Sequence, residues 1–174
     1  MIRATLLLIA VAACGTDPPR WALDDAGGSG SGGCVAHDVP PTTDLTTPIV
    51  SFHTDVMPIF NHNCGTKACH GSMTAPKGSL FLGAATALGA DASGVYAAIV
   101  GKPSAQLGSM SFVTPNDPVR SYLMHKLDGD QCLYQTDCVG SDCMHSMPSG
   151  LEVLIAVSTR DTIRRWIAQG AVQN

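Results

Sequence analysis

Two thiols and an imidazole fall within seven residues of one another, in Cys64-Gly65-Thr66-Lys67-Ala68-Cys69-His70. Two cysteines with a histidine directly after the second are the groups that covalent haem attachment uses. Each thiol adds across a porphyrin vinyl group, and the adjoining imidazole ligates the iron. The usual spacing is C-x2-C-H; here it is C-x4-C-H. The residues therefore read as holding one haem c, with Cys64 and Cys69 as covalent attachment points and His70 as the proximal iron ligand.

A distal iron ligand is expected from a later loop. Met147 is the choice, because Met147-Pro148 follows a polar, turn-rich stretch and its backbone is constrained. Met144, His145, Met110 and His125 are rivals for the position. His/Met ligation raises a haem's reduction potential. Just before that loop, Cys138 to His145 nearly repeats the first motif, but the histidine comes one place too late. A local disulfide is expected there, not a second haem.

These groups need elements to position them. Val56, Ile59, Phe60 and Asn63 recur at helical spacing and lead straight into Cys64. Thr54 or Asp55 is placed to cap that helix, and Pro58 falls in its first turn, where a missing N–H costs least. A closing helix is expected over Ser158 to Gly170. Ser158 or Thr159 caps it, Ile163, Trp166, Ile167 and Gly170 share one face, and Gly170 ends it.

The N-terminus reads as an address. Met1-Ile2-Arg3 precedes an apolar run from Ala4 to Ala13, interrupted only by Thr5. That run is too short to span a bilayer and suits a signal peptide over residues 1–13. It ends Val11-Ala12-Ala13-Cys14, which resembles the lipobox of bacterial lipoproteins, with Cys14 as the lipidation site and membrane anchor. Thr16, two places after Cys14, directs such a protein to the outer membrane. Residues 14–49, with Pro18-Pro19, the Gly27 to Gly33 stretch and Pro40-Pro41, read as a flexible, disordered tether. The folded domain is expected over 50–174, about 125 residues.

Of seven cysteines, Cys34, Cys132, Cys138 and Cys143 are left once Cys14, Cys64 and Cys69 are assigned. In an oxidising compartment these are disulfide candidates, with three possible connectivities. His37, His53 and His62 match no zinc spacing and read as solvated. The net charge is −4, and five Asp against one Arg in residues 15–49 account for it, while residues 50–174 hold nine acids and eight bases. No basic patch exists for a nucleic-acid partner.

The order of these features resembles the cytochrome c-like domain of bacterial surface lipoproteins. The resemblance is carried by Asp55 to Phe60, Cys64…Cys69-His70-Gly71 and Gly78 to Leu82. It continues through Val95 to Gly101, Asp117 to Leu127, Met147-Pro148 and Ile163 to Ala171, covering about residues 50–172. It implies an all-α fold of about four helices around one haem, with a haem on Cys64 and Cys69, His70 proximal and Met147 distal. The function it implies is electron transfer by an exported, periplasm- or surface-facing lipoprotein that meets a redox partner protein and is a carrier, not a catalyst. The alternative is a haem-free surface lipoprotein, with a Cys64–Cys69 disulfide, that acts as a binding or scaffolding module.

Overall fold

The computed structural model of the chain describes residues 34–85, 91–149 and 154–174. The proposed signal peptide over 1–13 and the lipidation site Cys14 lie outside the described residues. Among the described residues, four α-helices carry the domain: α1 (Met57–Asn63), α2 (Ala92–Ile99), α3 (Tyr122–Asp128) and α4 (Val157–Ala168). Among the described residues there is no strand, only isolated bridges such as Val100 to Val113 and Ser111 to Ser121. No described helix is long and apolar enough to cross a membrane.

The helix leading to Cys64 starts earlier than Thr54 or Asp55. A wide π turn over Phe52–Val56 runs directly into α1, with Ser51 as its cap. The Ser51 hydroxyl accepts from the Thr54 N–H at 3.2 Å, while Asp55 accepts from the Ser51 N–H at 2.8 Å. This is a reciprocal cap that leaves fewer orphan donors at the helix entry. The extra residue in the π turn rotates the stripe. Val56, Met57, Phe60 and Asn61 are buried, whereas Ile59 and Asn63 are only partly so.

Ser158 and Thr159 lie inside α4; Ala156 is its cap residue, without a side-chain bond. Gly170 follows the helix at φ 99°, a conformation that disfavours any residue with a Cβ. Asp117 to Ser121 form a turn, not the start of a helix. Asp117 accepts from the Arg120 N–H at 3.0 Å, and the Ser121 hydroxyl donates to the Asp117 carbonyl at 2.8 Å.

The core forms where the two ends of the domain meet. Trp166 on α4 is fully buried and stacks on Phe52 with ring centroids 5.0 Å apart; Phe52 meets Tyr96 of α2 edge-on at 5.4 Å. Val56, Phe60, Val95, Ile99, Leu127, Ile163 and Ile167 complete the cluster. The C-terminal Asn174 closes this junction, accepting from the Phe52 N–H at 2.9 Å, the His53 N–H at 3.0 Å and the Ser51 hydroxyl at 2.8 Å.

α3 is tied to α4 by charge. Asp128 accepts from Arg160 and from Arg164 at 2.6 Å each, with all three side chains nearly excluded from water. Residues 34–49, expected to be part of the solvated tether, are held against the domain. Cys34 is bonded to Cys132, the His37 N–H donates to Asp130 at 2.9 Å, and Gln169 donates to the Thr46 and Pro48 carbonyls at 3.0 Å. Pro-rich, apolar-poor composition predicted flexibility there, but a covalent staple and main-chain hydrogen bonds decide otherwise.

Candidate functional site

α1 ends at Cys64, whose N–H donates to the Phe60 carbonyl at 2.8 Å. The chain then coils tightly. The Cys69 and Gly71 N–H groups both donate to the Thr66 carbonyl, at 3.0 and 2.9 Å, and the His70 N–H donates to the Cys64 carbonyl at 3.0 Å. A Cβ on Gly71 would sit 2.0 Å from the Gly65 carbonyl oxygen, so only glycine allows this coil to close. The coil absorbs the two additional residues of the x4 spacing and sets Cys64, Cys69 and His70 along one wall of a cavity.

That cavity has a volume of about 350 Å³, within the range of small-molecule and cofactor sites. Leu80 and Leu82 also line it, as do Leu123, Lys126 and Leu127 of α3, the polar Asn63, Ser104, Gln106 and Tyr122, and Met144, His145, Met147 and Pro148 of the later loop. The sequence-assigned groups Cys64, Cys69, His70 and Met147 are thus brought together.

His70 is oriented. Its Nδ1 lies 2.8 Å from the Leu80 carbonyl oxygen, which only accepts, so Nδ1 carries the hydrogen and Nε2 carries the lone pair. Burial lowers its pKa below the ordinary histidine value, against its backbone hydrogen bonds, and the charge of Lys126 adds to the lowering. A neutral imidazole with its outer nitrogen fixed by a carbonyl is the form that binds a metal. Burial also pushes the Cys64 thiol up to about 12, so the group is a protonated thiol.

Of the rival iron ligands, His125 is fully engaged. Its Nδ1 meets Asp130 at 2.8 Å and its Nε2 meets the Val119 carbonyl at 2.9 Å. Burial opposes its charge, but the Asp130 hydrogen bond and carboxylate prevail, raising its pKa above the ordinary value. Met110 packs in a separate small cluster with Leu107 and Tyr122, and Met144 is half exposed. Met147 is held by its main chain, the N–H donating to the Lys126 carbonyl at 2.7 Å.

The remaining cysteines resolve one of the three connectivities: Cys34–Cys132 and Cys138–Cys143. The second is the local disulfide expected for the near-copy motif. Cys64 is a free thiol and Cys69 is disulfide-bonded, so the Cys64–Cys69 bridge of the haem-free alternative is not formed.

Lys126 was not singled out by its residue type, yet it is 6% exposed in the cavity wall. Its Nζ donates to the Cys143 carbonyl at 2.7 Å and lies 5.9 Å from the Tyr122 ring centroid. Burial lowers its pKa to about 7, with Asp142 pulling the other way. Its spacing from Leu123 and Leu127, i+3 and i−1, was the available signal: all three share the cavity face of α3.

The chain matches no protein-family model, no curated protein and no solved structure. The resemblance to the cytochrome c-like domain of bacterial surface lipoproteins is accordingly withdrawn. No family model supports it, the structure spends cysteines on the disulfides Cys34–Cys132 and Cys138–Cys143, and Cys69 is itself oxidised. Among the described residues, moreover, no group of three or more His, Cys, Asp or Glu side chains could hold a metal ion. The order of short blocks in the sequence reflects helices with one buried face and the turns between them, a pattern that many small helical domains share.

Proposed function

We propose that the cavity beside His70 takes one haem and that the domain passes single electrons through it. The reading rests on the cavity itself and not on kinship. The observation that carries it is His70, with Nδ1–H committed to the Leu80 carbonyl and the ring at the wall of an apolar cavity of about 350 Å³. His70 would be the proximal ligand, and Met147, bordering the same cavity, would be the distal one. When bound, a haem supplies a one-electron ferric/ferrous couple.

The chain's own residues do the rest. Leu80, Leu82, Leu123 and Leu127 would give a bound ring an apolar surround, and the low dielectric there would tune its potential. Cys64, a free thiol in the wall, can add its S–H across a porphyrin vinyl group, forming one C–S bond and placing the hydrogen on the other vinyl carbon. Cys69 needs its disulfide opened first. A dithiol reductant would supply two electrons and two protons to the two sulfurs before the same addition makes a haem c.

We place the protein outside the cytoplasm, as an outer-membrane lipoprotein anchored at Cys14 that meets a redox partner protein. Supporting this are the apolar run ending at Cys14 and two disulfides that belong to an oxidising compartment.

The test is to produce the full chain with a haem-maturation system, denature it and extract it with acid–acetone. Haem that stays on the denatured wild-type chain, and is released when Cys64→Ala and Cys69→Ala are combined, is the expected result. Absence of any haem from the purified native protein overturns the reading.

A further inference from the structure

The lining of the cavity is mostly apolar, with Asn63, Ser104, Gln106 and Tyr122 among its polar groups, and it holds one buried amine. Lys126 is 6% exposed, and its Nζ has one acceptor at 2.7 Å, the Cys143 carbonyl, which leaves two of its three hydrogens uncommitted to that bond. Among the described residues no carboxylate forms an ion pair with it, although Asp128 and Asp130, close by in the chain, take part in such pairs. A buried ammonium without an anionic partner is costly, and a carboxylate placed beside it recovers that cost as a charge-assisted hydrogen bond.

We propose that Lys126 anchors the cavity's ligand by one carboxylate, which on the haem reading above is a propionate. The inference rests on that reading for the ligand's name and on the geometry for the carboxylate. Leu123, one turn before Lys126 on α3, and Leu127, the next residue, supply apolar surface of the same lining, and Lys126 supplies a buried charge beside them. His70 borders the same cavity, so a ligand that presents a metal to the imidazole and a carboxylate to the ammonium satisfies both groups. Of the other charged or titratable groups near this end, Lys77 at the cavity rim is exposed, His145 is half-buried, and Asp142 is exposed and beyond ion-pair distance.

The probes are ferric haem, which carries two propionates, and its dimethyl ester, which carries none but keeps the ring and the iron. Each is titrated into the haem-free full chain and followed by Soret absorbance, for wild type, Lys126→Met and Lys126→Arg. Wild type is expected to bind haem about tenfold or more tightly than the ester, the effect of one charge-assisted hydrogen bond. Lys126→Met is expected to lose that preference, and Lys126→Arg to keep most of it.

Equal affinity of wild type for haem and ester overturns the role of Lys126 and leaves the haem reading standing, as does undiminished preference in Lys126→Met. Binding of neither probe to wild type overturns both. The comparison of the two probes on wild type decides the matter even if Lys126→Met does not fold.

Discussion

The Nδ1 atom of His70 lies 2.8 Å from the carbonyl oxygen of Leu80, ten residues later in the chain. The bond selects one tautomer, directs the lone pair to Nε2 and fixes the ring plane. The same strand of chain is anchored at a second point, where the Leu82 N–H donates to the His70 carbonyl at 3.0 Å. A residue that is both donor and acceptor to one neighbouring segment cannot swing away from the cavity.

The coil that delivers His70 is expected to be intolerant of any side chain at Gly71. In Gly71→Ala, the new Cβ meets the main-chain carbonyl oxygen of Gly65 at 2.0 Å, so the coil must open. Haem affinity measured by Soret titration should fall about tenfold or more, because a ligand's orientation is worth that much. The urea midpoint should fall as well, by about 1–3 kcal/mol of stability.

Asp128 is expected to be among the most sensitive polar positions for stability. Its two oxygens serve Arg160 and Arg164 at 2.6 Å each, and both arginines are buried. In Asp128→Ala the buried Arg160 loses its counter-charge and Arg164 is left with Asp161 alone, and a loss of about 3–5 kcal/mol is expected by urea denaturation. Replacing the half-exposed Asp117, paired with Arg120 at the surface, should cost less than about 1 kcal/mol in the same assay.

The sequence made the first and last helices legible and hid this charged seam. Ile163, Trp166 and Ile167 announce the apolar face of α4, and they are all buried. Arg160 and Arg164 lie on that same face, at i−3 and i+1 from Ile163, but arginine reads as solvent-facing until its partner on α3 is known. The cap of the first helix was displaced for a similar reason: a π turn adds a residue that periodicity does not register. In the site, Cys64, Cys69, His70 and Met147 could be chosen by residue type and order. Lys126 could not, since a lone lysine in an apolar stripe normally snorkels to water. The oxidised state of Cys69 was equally illegible, because which cysteines pair depends on the fold alone.

The two described disulfides should differ in weight. Cys34–Cys132 spans 98 residues and Cys138–Cys143 spans 5. Loop-closure entropy makes the long one worth about 2–3 kcal/mol more. Cys34→Ser with Cys132→Ser should therefore lower Tm well beyond Cys138→Ser with Cys143→Ser, as read by differential scanning calorimetry.

Lys126 should leave a signature in the pH dependence of the haem-free protein. Its pKa falls from 10.5 to about 7 on folding, so between those values the unfolded chain binds more protons and stability rises with pH. Above about pH 9 the opposite sign enters. Cys64, raised from 9.0 to about 12, and Tyr122, raised from 10.0 to about 12, hold their protons longer when folded. The urea midpoint of wild type, less that of Lys126→Met, should therefore grow from pH 7 to 9. A difference that stays flat over that window would contradict the burial of an ionisable amine.

The central claim is that His70 ligates a haem iron in this cavity, and the absorption spectrum of the haem-loaded full chain tests it most directly. Wild type is compared with His70→Ala, each reduced and oxidised. The expected result is a six-coordinate, low-spin spectrum with sharp bands in reduced wild type, and loss of those bands in His70→Ala. Identical spectra from the two proteins, or a wild type that takes up no haem, would contradict it.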